Sequence, residues 1–325
     1  MILKFYKSDN LTGLVLLPIL ALLFWFPGLL NPSTVHFSDA SPLFQCVSSI
    51  GSPRFSQLLA LLIIVISGLI LNDLINKSEL FNGNTLFPAL LYVIFMSAIK
   101  EHQGLSPIVI SNLFWILAVR RLFNIYSQVP CKKEVFDATV FILLGGVFYF
   151  PSLVMLALVW IALKIFRPFV WREWVIPFFG FIIVGLYWIV ALVWNGTLNN
   201  WLNYFTFDSE QYYAIKIAVS WPYYILLGVL LVLVSFSGYN ISRQYKASSL
   251  RFRKIIFFFL FIIFLSIAIV SLVQHFSSEN VFALVGAVPL SLLITFYFTY
   301  AKKEWLSQLF FYMMLILILV NIYLY

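Results

Sequence analysis

Between Leu11 and Tyr325 the sequence is a succession of long apolar runs, and the polar stretches between them are too short to fold alone. A helix needs about 20 apolar residues to cross a bilayer, within a range of roughly 17–25. Eleven runs approach that length: about 12–30, 55–75, 85–99, 105–123, 137–150, 152–167, 174–195, 221–238, 255–274, 281–300 and 306–325. Lipid offers backbone N–H and C=O groups no water partners, so each run is expected to be helical. The expected fold is all-α: a polytopic transmembrane helical bundle of about eleven spans, one integral membrane domain over 1–325 with no soluble domain. The hydrophobic content of 63% agrees, because soluble chains hold only about 45–50%. The run at 12–30 follows Lys4 and Lys7 without a small-residue cleavage site, so it reads as a first span and not as a removed signal peptide.

The basic residues set the orientation. With the N-terminus inside, all but three of the 20 Lys and Arg residues fall in inner segments; the exceptions are Arg54, Lys100 and Lys216. This positive-inside pattern predicts an inside N-terminus and, after eleven spans, an outside C-terminus. The net charge of +8 is then topology and attraction to anionic lipid, which argues against nucleic acid as a partner. Cys46 and Cys131 fall on opposite sides in this arrangement, so they cannot pair within one chain, and neither has metal-ligand spacing.

Three runs are short: 85–99, 137–150 and 152–167. Gly145-Gly146 and Pro151 in "GGVFYFPS" favour close packing and a chain break between the last two. These two read as short or re-entrant helices that meet at or inside the outer leaflet; short spans are either enclosed by protein around a cavity or accommodated by tilt and local thinning of the bilayer. "RPFVWREW", from Arg167 to Trp174, reads as an interface anchor, and "SRQYKASSLRFRK" as a basic inner loop.

The chemically diverse residues gather outside. The predicted outer segments hold all three histidines, His36, His102 and His275, with Asp39 and Glu101 among the acids. The long first outer loop, 31–55, carries His36, Asp39 and Arg54; "KEHQG" brings Lys100, Glu101 and His102 together. An ionised Asp39 suits general-base work on an acceptor hydroxyl. The outer cations Arg54 and Lys100 suit a lipid-linked phosphate, with His36 beside them as a further binding group. Glu101 and His102 are candidates for acid catalysis or for a divalent cation, the one cofactor considered; their adjacency makes them a weak metal pair, and no metal site is assigned. Among mid-span residues none is ionisable, which weighs against an ion pump or proton-coupled transporter. No Walker loop, dinucleotide fingerprint, His-Glu-x-x-His or Gly-x-Ser-x-Gly occurs.

"NKSELFNGNTLFPALLYVIFMSAI", "LSPIVISNLFWILAVRRLFNIY" and "FDATVFILLGGVFYFPSLVMLALVWIALKIFRPFVWREW" carry a likeness. Over roughly 10–240 the chain resembles a family of uncharacterised multi-pass inner-membrane proteins of Bacteroidota. The layout is also similar to the membrane module of GT-C type glycosyltransferases, with a first span, a long acidic outer loop and closely packed short spans. That likeness implies a polyprenyl-phosphate-linked sugar donor, an acceptor met at the outer face, and a functional acid at the place of Asp39. Many GT-C members have an acidic pair there, where this chain has the single Asp39 in "FSDAS".

The leading expectation is an envelope glycan assembly enzyme of the bacterial inner membrane. Asp39, Glu101 and His102 would be catalytic, and Arg54, Lys100 and His36 substrate-binding. The alternative is a non-catalytic membrane subunit whose partners are other envelope membrane proteins. A transporter or lipid flippase is a third.

Overall fold

The computed structural model describes residues 6, 11–30, 44, 47, 52–81, 83–98, 103–126, 131–194, 196, 221–276, 282–301 and 303–324. Among them are eleven α-helices, one 3-10 segment and no strand. The helices are α1 (Leu11–Leu30), α2 (Pro53–Lys77), α3 (Phe87–Met96), α4 (Pro107–Asn124), α5 (Lys132–Phe148), α6 (Ala157–Phe166), α7 (Trp171–Trp194), α8 (Trp221–Ala247), α9 (Leu250–Phe276), α10 (Phe282–Tyr300) and α11 (Glu304–Leu324). The 3-10 segment, Phe150–Leu156, joins α5 to α6. Each expected run holds one of these helices. Six of them, α1, α2, α7, α8, α9 and α11, are long and apolar enough to cross a membrane.

Local sequence explains where several helices begin. Ser52-Pro53 and Ser106-Pro107 each set a serine at the N-cap and a proline in the first turn, where its missing N–H costs nothing. Ser106 Oγ accepts from Val109 N at 3.2 Å, and Ser52 Oγ accepts from Phe55 N at 3.4 Å. Lys77 and Arg121 lie in the last turns of α2 and α4, beside the negative helix ends.

The short run at 85–99 becomes α3, with ten residues, about 15 Å long at 1.5 Å per residue. It is too short to span the hydrocarbon layer, and every one of its residues is buried. α1, α2 and α10 pack around it, with the Phe87 ring stacked on Phe298 at 5.7 Å. Asn112 of α4 reaches Met96 Sδ with its Nδ2 at 3.7 Å, so the most polar mid-span residue of α4 faces this central helix.

Two boundaries differ from expectation. α5 starts at Lys132, five residues before the apolar run. The expected basic loop between α8 and α9 is mostly helix, with α8 continuing to Ala247 and α9 starting at Leu250. Hydropathy marks where lipid begins; it does not mark where a helix begins, and Lys, Arg and Glu are good helix formers.

The junction after α5 follows its glycines. Gly145 packs on α4, where a Cβ would lie 3.2 Å from Ser111 Oγ. A Cβ on Gly146 would collide with the Leu153 side chain, so the 3-10 segment sits back against α5 where residue 146 has no side chain. Replacing Gly146 with Ala should cost about 1–3 kcal/mol through overpacking. A lower thermal midpoint of the purified protein is the expected readout, with Leu153→Ala in the same chain recovering most of the loss. An unchanged midpoint for the single variant would contradict this packing.

Candidate functional site

Polar groups are scarce in this bundle, and several of those it buries, Gln57, Ser97, Gln103 and Asn321, meet near the end of α3. Ser97 and Ala98 lead the chain out of that helix. Trp25 of α1 donates its Nε1–H to Ser97 Oγ at 2.9 Å, and that hydroxyl donates to Val93 O at 2.7 Å. Gln103, just before α4, donates its Nε2–H to Phe24 O at 3.0 Å and reaches Ser97 O at 3.4 Å. Near the end of α11, Asn321 donates to Ala98 O at 2.8 Å, and Tyr323 Oη donates to Leu23 O at 2.9 Å. Side chains of α1, α11 and the approach to α4 thus close the end of the central helix.

Gly28 packs closely against this knot: a Cβ there would lie 3.0 Å from Gln103 Oε1 and 3.8 Å from Gln57 Nε2. Gln57 and Gln103 are 2% and 1% exposed. Gln103 Oε1 and both polar atoms of the Gln57 amide have no hydrogen-bond partner. Buried amide atoms are normally met by protein, by ordered water or by a ligand. Two carboxamides beside a glycine offer both donors and acceptors, the complement of a hydroxyl group.

Of the residues expected to do chemistry, Arg54 is in the first turn of α2, exposed, three positions before Gln57. His36, Asp39, Lys100, Glu101 and His102 lie outside the described residues. His36 and Asp39 belong to the connection from α1 to α2, and Lys100 to His102 to that from α3 to α4. The ends of α1 and α3 from which those connections depart are the ends joined by the Trp25–Ser97 and Gln103–Phe24 bonds. Sequence reasoning missed Gln57, Gln103, Trp25 and Asn321. The available signal was an amide inside an apolar helical run, as in "FSQLLALL" and "ILVNIYL", because an amide away from water needs a partner.

The other end of the bundle is ionic. Asp73 Oδ2 accepts from Lys77 Nζ at 2.9 Å and from Arg120 Nη2 at 2.8 Å. Arg121 pairs with Asp137 at 3.5 Å, and Arg251 with Glu79 at 3.0 Å. "RPFVWREW" is more than an anchor: Arg167 Nε lies 3.6 Å from Glu173 Oε2, with Glu173 buried and the Arg167 side chain largely so. Glu173 and the buried Glu134 sit in the first turns of α7 and α5, where the positive helix end favours a carboxylate. Burial first, and then the neighbouring Glu173 carboxylate, push the Cys131 thiol up to about 11. Cys131 is therefore a protonated thiol at neutral pH and a poor nucleophile. Among the described residues no three His, Cys, Asp or Glu side chains converge to hold a metal ion.

Removing one partner of a buried ion pair strands the other charge. Arg167→Met should cost about 3–5 kcal/mol, read as a large drop in thermal midpoint. Arg167→Met with Glu173→Met should recover much of it, because no charge is then left buried. A double variant as unstable as the single would overturn this account of the pair.

A profile described as a family of unknown function (DUF6427) matches residues 42–325. No curated protein and no solved structure matches the chain. That profile match takes in every described helix from α2 to α11, and the chain belongs to the DUF6427 family.

Proposed function

We propose that the chain is a glycan assembly enzyme of GT-C type, working at the outer face of a bacterial inner membrane on a polyprenyl-phosphate-linked sugar. One observation carries this reading. The Trp25–Ser97 and Gln103–Phe24 hydrogen bonds tie together the ends of α1 and α3. From those ends depart the two connections that hold His36 and Asp39 on one side, and Lys100, Glu101 and His102 on the other. Arg54 starts the helix that follows the first of them.

In this reading Asp39 takes the proton of an acceptor hydroxyl. The hydroxyl oxygen attacks the anomeric carbon as the bond from that carbon to the phosphate oxygen breaks. Polyprenyl phosphate leaves with the bonding electron pair, and Arg54 and Lys100 neutralise its added charge. His36 is a further donor-binding group. Glu101 and His102 supply a proton or a ligand for a divalent cation. Gln57 and Gln103, with unmet donors and acceptors beside Gly28, favour a hydroxylated ligand at the same end.

The test compares lipid-linked and surface glycans in wild type, a deletion strain and a strain carrying Asp39→Asn. Loss of one glycan with accumulation of its lipid-linked precursor is expected in the deletion. Asp39→Asn, produced at the wild-type level, should fail to restore it. Full rescue by Asp39→Asn would remove Asp39 as the base. An unchanged glycan profile in the deletion, with stoichiometric co-purification of another membrane protein, would replace the enzyme by a subunit of an envelope complex.

A further inference from the structure

The ionic end of the bundle plays no part in that reading, yet it holds a shaped cavity. Between the last turns of α2 and α4 and the first of α9 lies a space of about 210 Å³. Its apolar lining is Leu74, Phe123 and Ile255, and its cations are Lys77, Arg120 and Arg251. Tyr126 also lines it, and Arg251 and Lys254 lie over the Tyr126 ring at 5.6 and 5.8 Å.

Four cations here meet two carboxylates. Asp73 uses one oxygen for both Lys77 and Arg120. Glu79 holds Arg251 Nη1, but its side chain is 74% exposed, and an exposed pair of this kind is weak and screened by salt. Glu79 also has φ 57°, in the left-handed region that a residue with a side chain seldom occupies. Arg251 Nε, by contrast, is buried and has no hydrogen-bond acceptor. Buried N–H groups are nearly always met. The Arg251 guanidinium, held by one exposed carboxylate in a cavity with surplus positive charge, fits the oxygens of a phosphate once Glu79 gives way.

We propose that this cavity binds the phosphate of an anionic membrane phospholipid. Arg251, Arg120 and Lys77 donate to the phosphate oxygens, and Glu79 is the internal competitor that gives way. The apolar lining selects a lipid over free phosphate, because Leu74, Phe123 and Ile255 accept the hydrocarbon that a headgroup brings with it. The proposal is independent of the glycan reading, since it uses the opposite end of the bundle and none of its residues.

The experiment titrates the purified full-length protein, in a neutral detergent, with dioleoylphosphatidylglycerol, dioleoylphosphatidylcholine or inorganic phosphate. Thermal midpoint and bound lipid by native mass spectrometry are followed. Phosphatidylglycerol should raise the midpoint saturably, and phosphatidylcholine should not. Arg251→Gln should weaken apparent phosphatidylglycerol affinity about tenfold, the scale of one charge-assisted contact. Glu79→Gln should tighten it severalfold, a gain that misfolding cannot produce. Arg243→Gln should leave it unchanged, because that guanidinium lies over Tyr239 on α8 and does not line the cavity. Unchanged affinity in both Arg251→Gln and Glu79→Gln would overturn the site. So would an equal loss in Arg243→Gln, which would mark general surface charge. Saturation by inorganic phosphate alone, with the same dependence on Arg251 and Glu79, would overturn the lipid assignment in favour of a soluble phosphate ligand.

Discussion

A ten-residue helix with both ends inside the protein sets the terms for everything around it. The ends of any α-helix leave backbone N–H and C=O groups without helical partners. On a longer span those groups reach the wet interface, but those of α3 do not. Each unmet group in an apolar medium costs several kcal/mol, so the neighbours have to supply partners. At the start of α3, Leu86 N donates to Tyr6 O at 2.9 Å, and Thr85 N donates to Asn76 Oδ1 at 3.1 Å. At its end, Ser97, Gln103 and Asn321 take up Val93 O, Ser97 O and Ala98 O. The central helix is held by these closures as much as by its apolar sides.

This necessity also makes the bundle specific. Apolar helices in lipid gain little from meeting one another, because lipid tails are equally apolar. Directional bonds from Trp25, Gln103, Asn321 and Tyr323 fix which helix ends meet and at what height. The same bonds gather the departures of two connections to one place. Gln57 and Gln103 bring more polar capacity to that place than the closure of α3 uses, and the surplus is what turns a structural knot into a candidate site.

Much of the fold was legible because hydropathy is summed over many residues. Every apolar run holds a helix, and the short runs at 85–99 and 152–167 hold the ten-residue α3 and α6. Gly145-Gly146 and Pro151 were read as a break, and the 3-10 segment is there, seated against Gly146. The pairings were not legible. Trp25 and Ser97 are 72 residues apart, and Arg251 and Glu79 are 172 apart, with nothing local in either to name the other. The site was read through charge, which drew attention to Lys100, Glu101 and His102. The next residue, Gln103, is buried in the knot, and its neutrality hid it. Glu173 escapes a reading by charge for the opposite reason: flanked by Arg172 and two tryptophans it looks like a wet interface, but α7 turns it toward Arg167 and Cys131.

The two ends of the bundle solve the same burial problem with different chemistry, and the difference has a physical cause. An amide can be withdrawn from water once its hydrogen bonds are met, with no net charge to desolvate. A carboxylate or guanidinium needs a counter-charge as well, and even a well-made buried pair roughly breaks even. The end that closes α3 within the protein therefore uses Gln, Asn, Ser and Trp. The end crowded with Lys and Arg keeps pairs part-exposed, as at Asp73 and Arg120, and sets a largely buried pair at Arg167 and Glu173, where a helix N-terminus helps to carry the carboxylate. An amide-lined end suits neutral hydroxylated ligands, and a cation-lined end suits phosphates. On the two proposals, each end selects its class of ligand through the same groups that hold it closed.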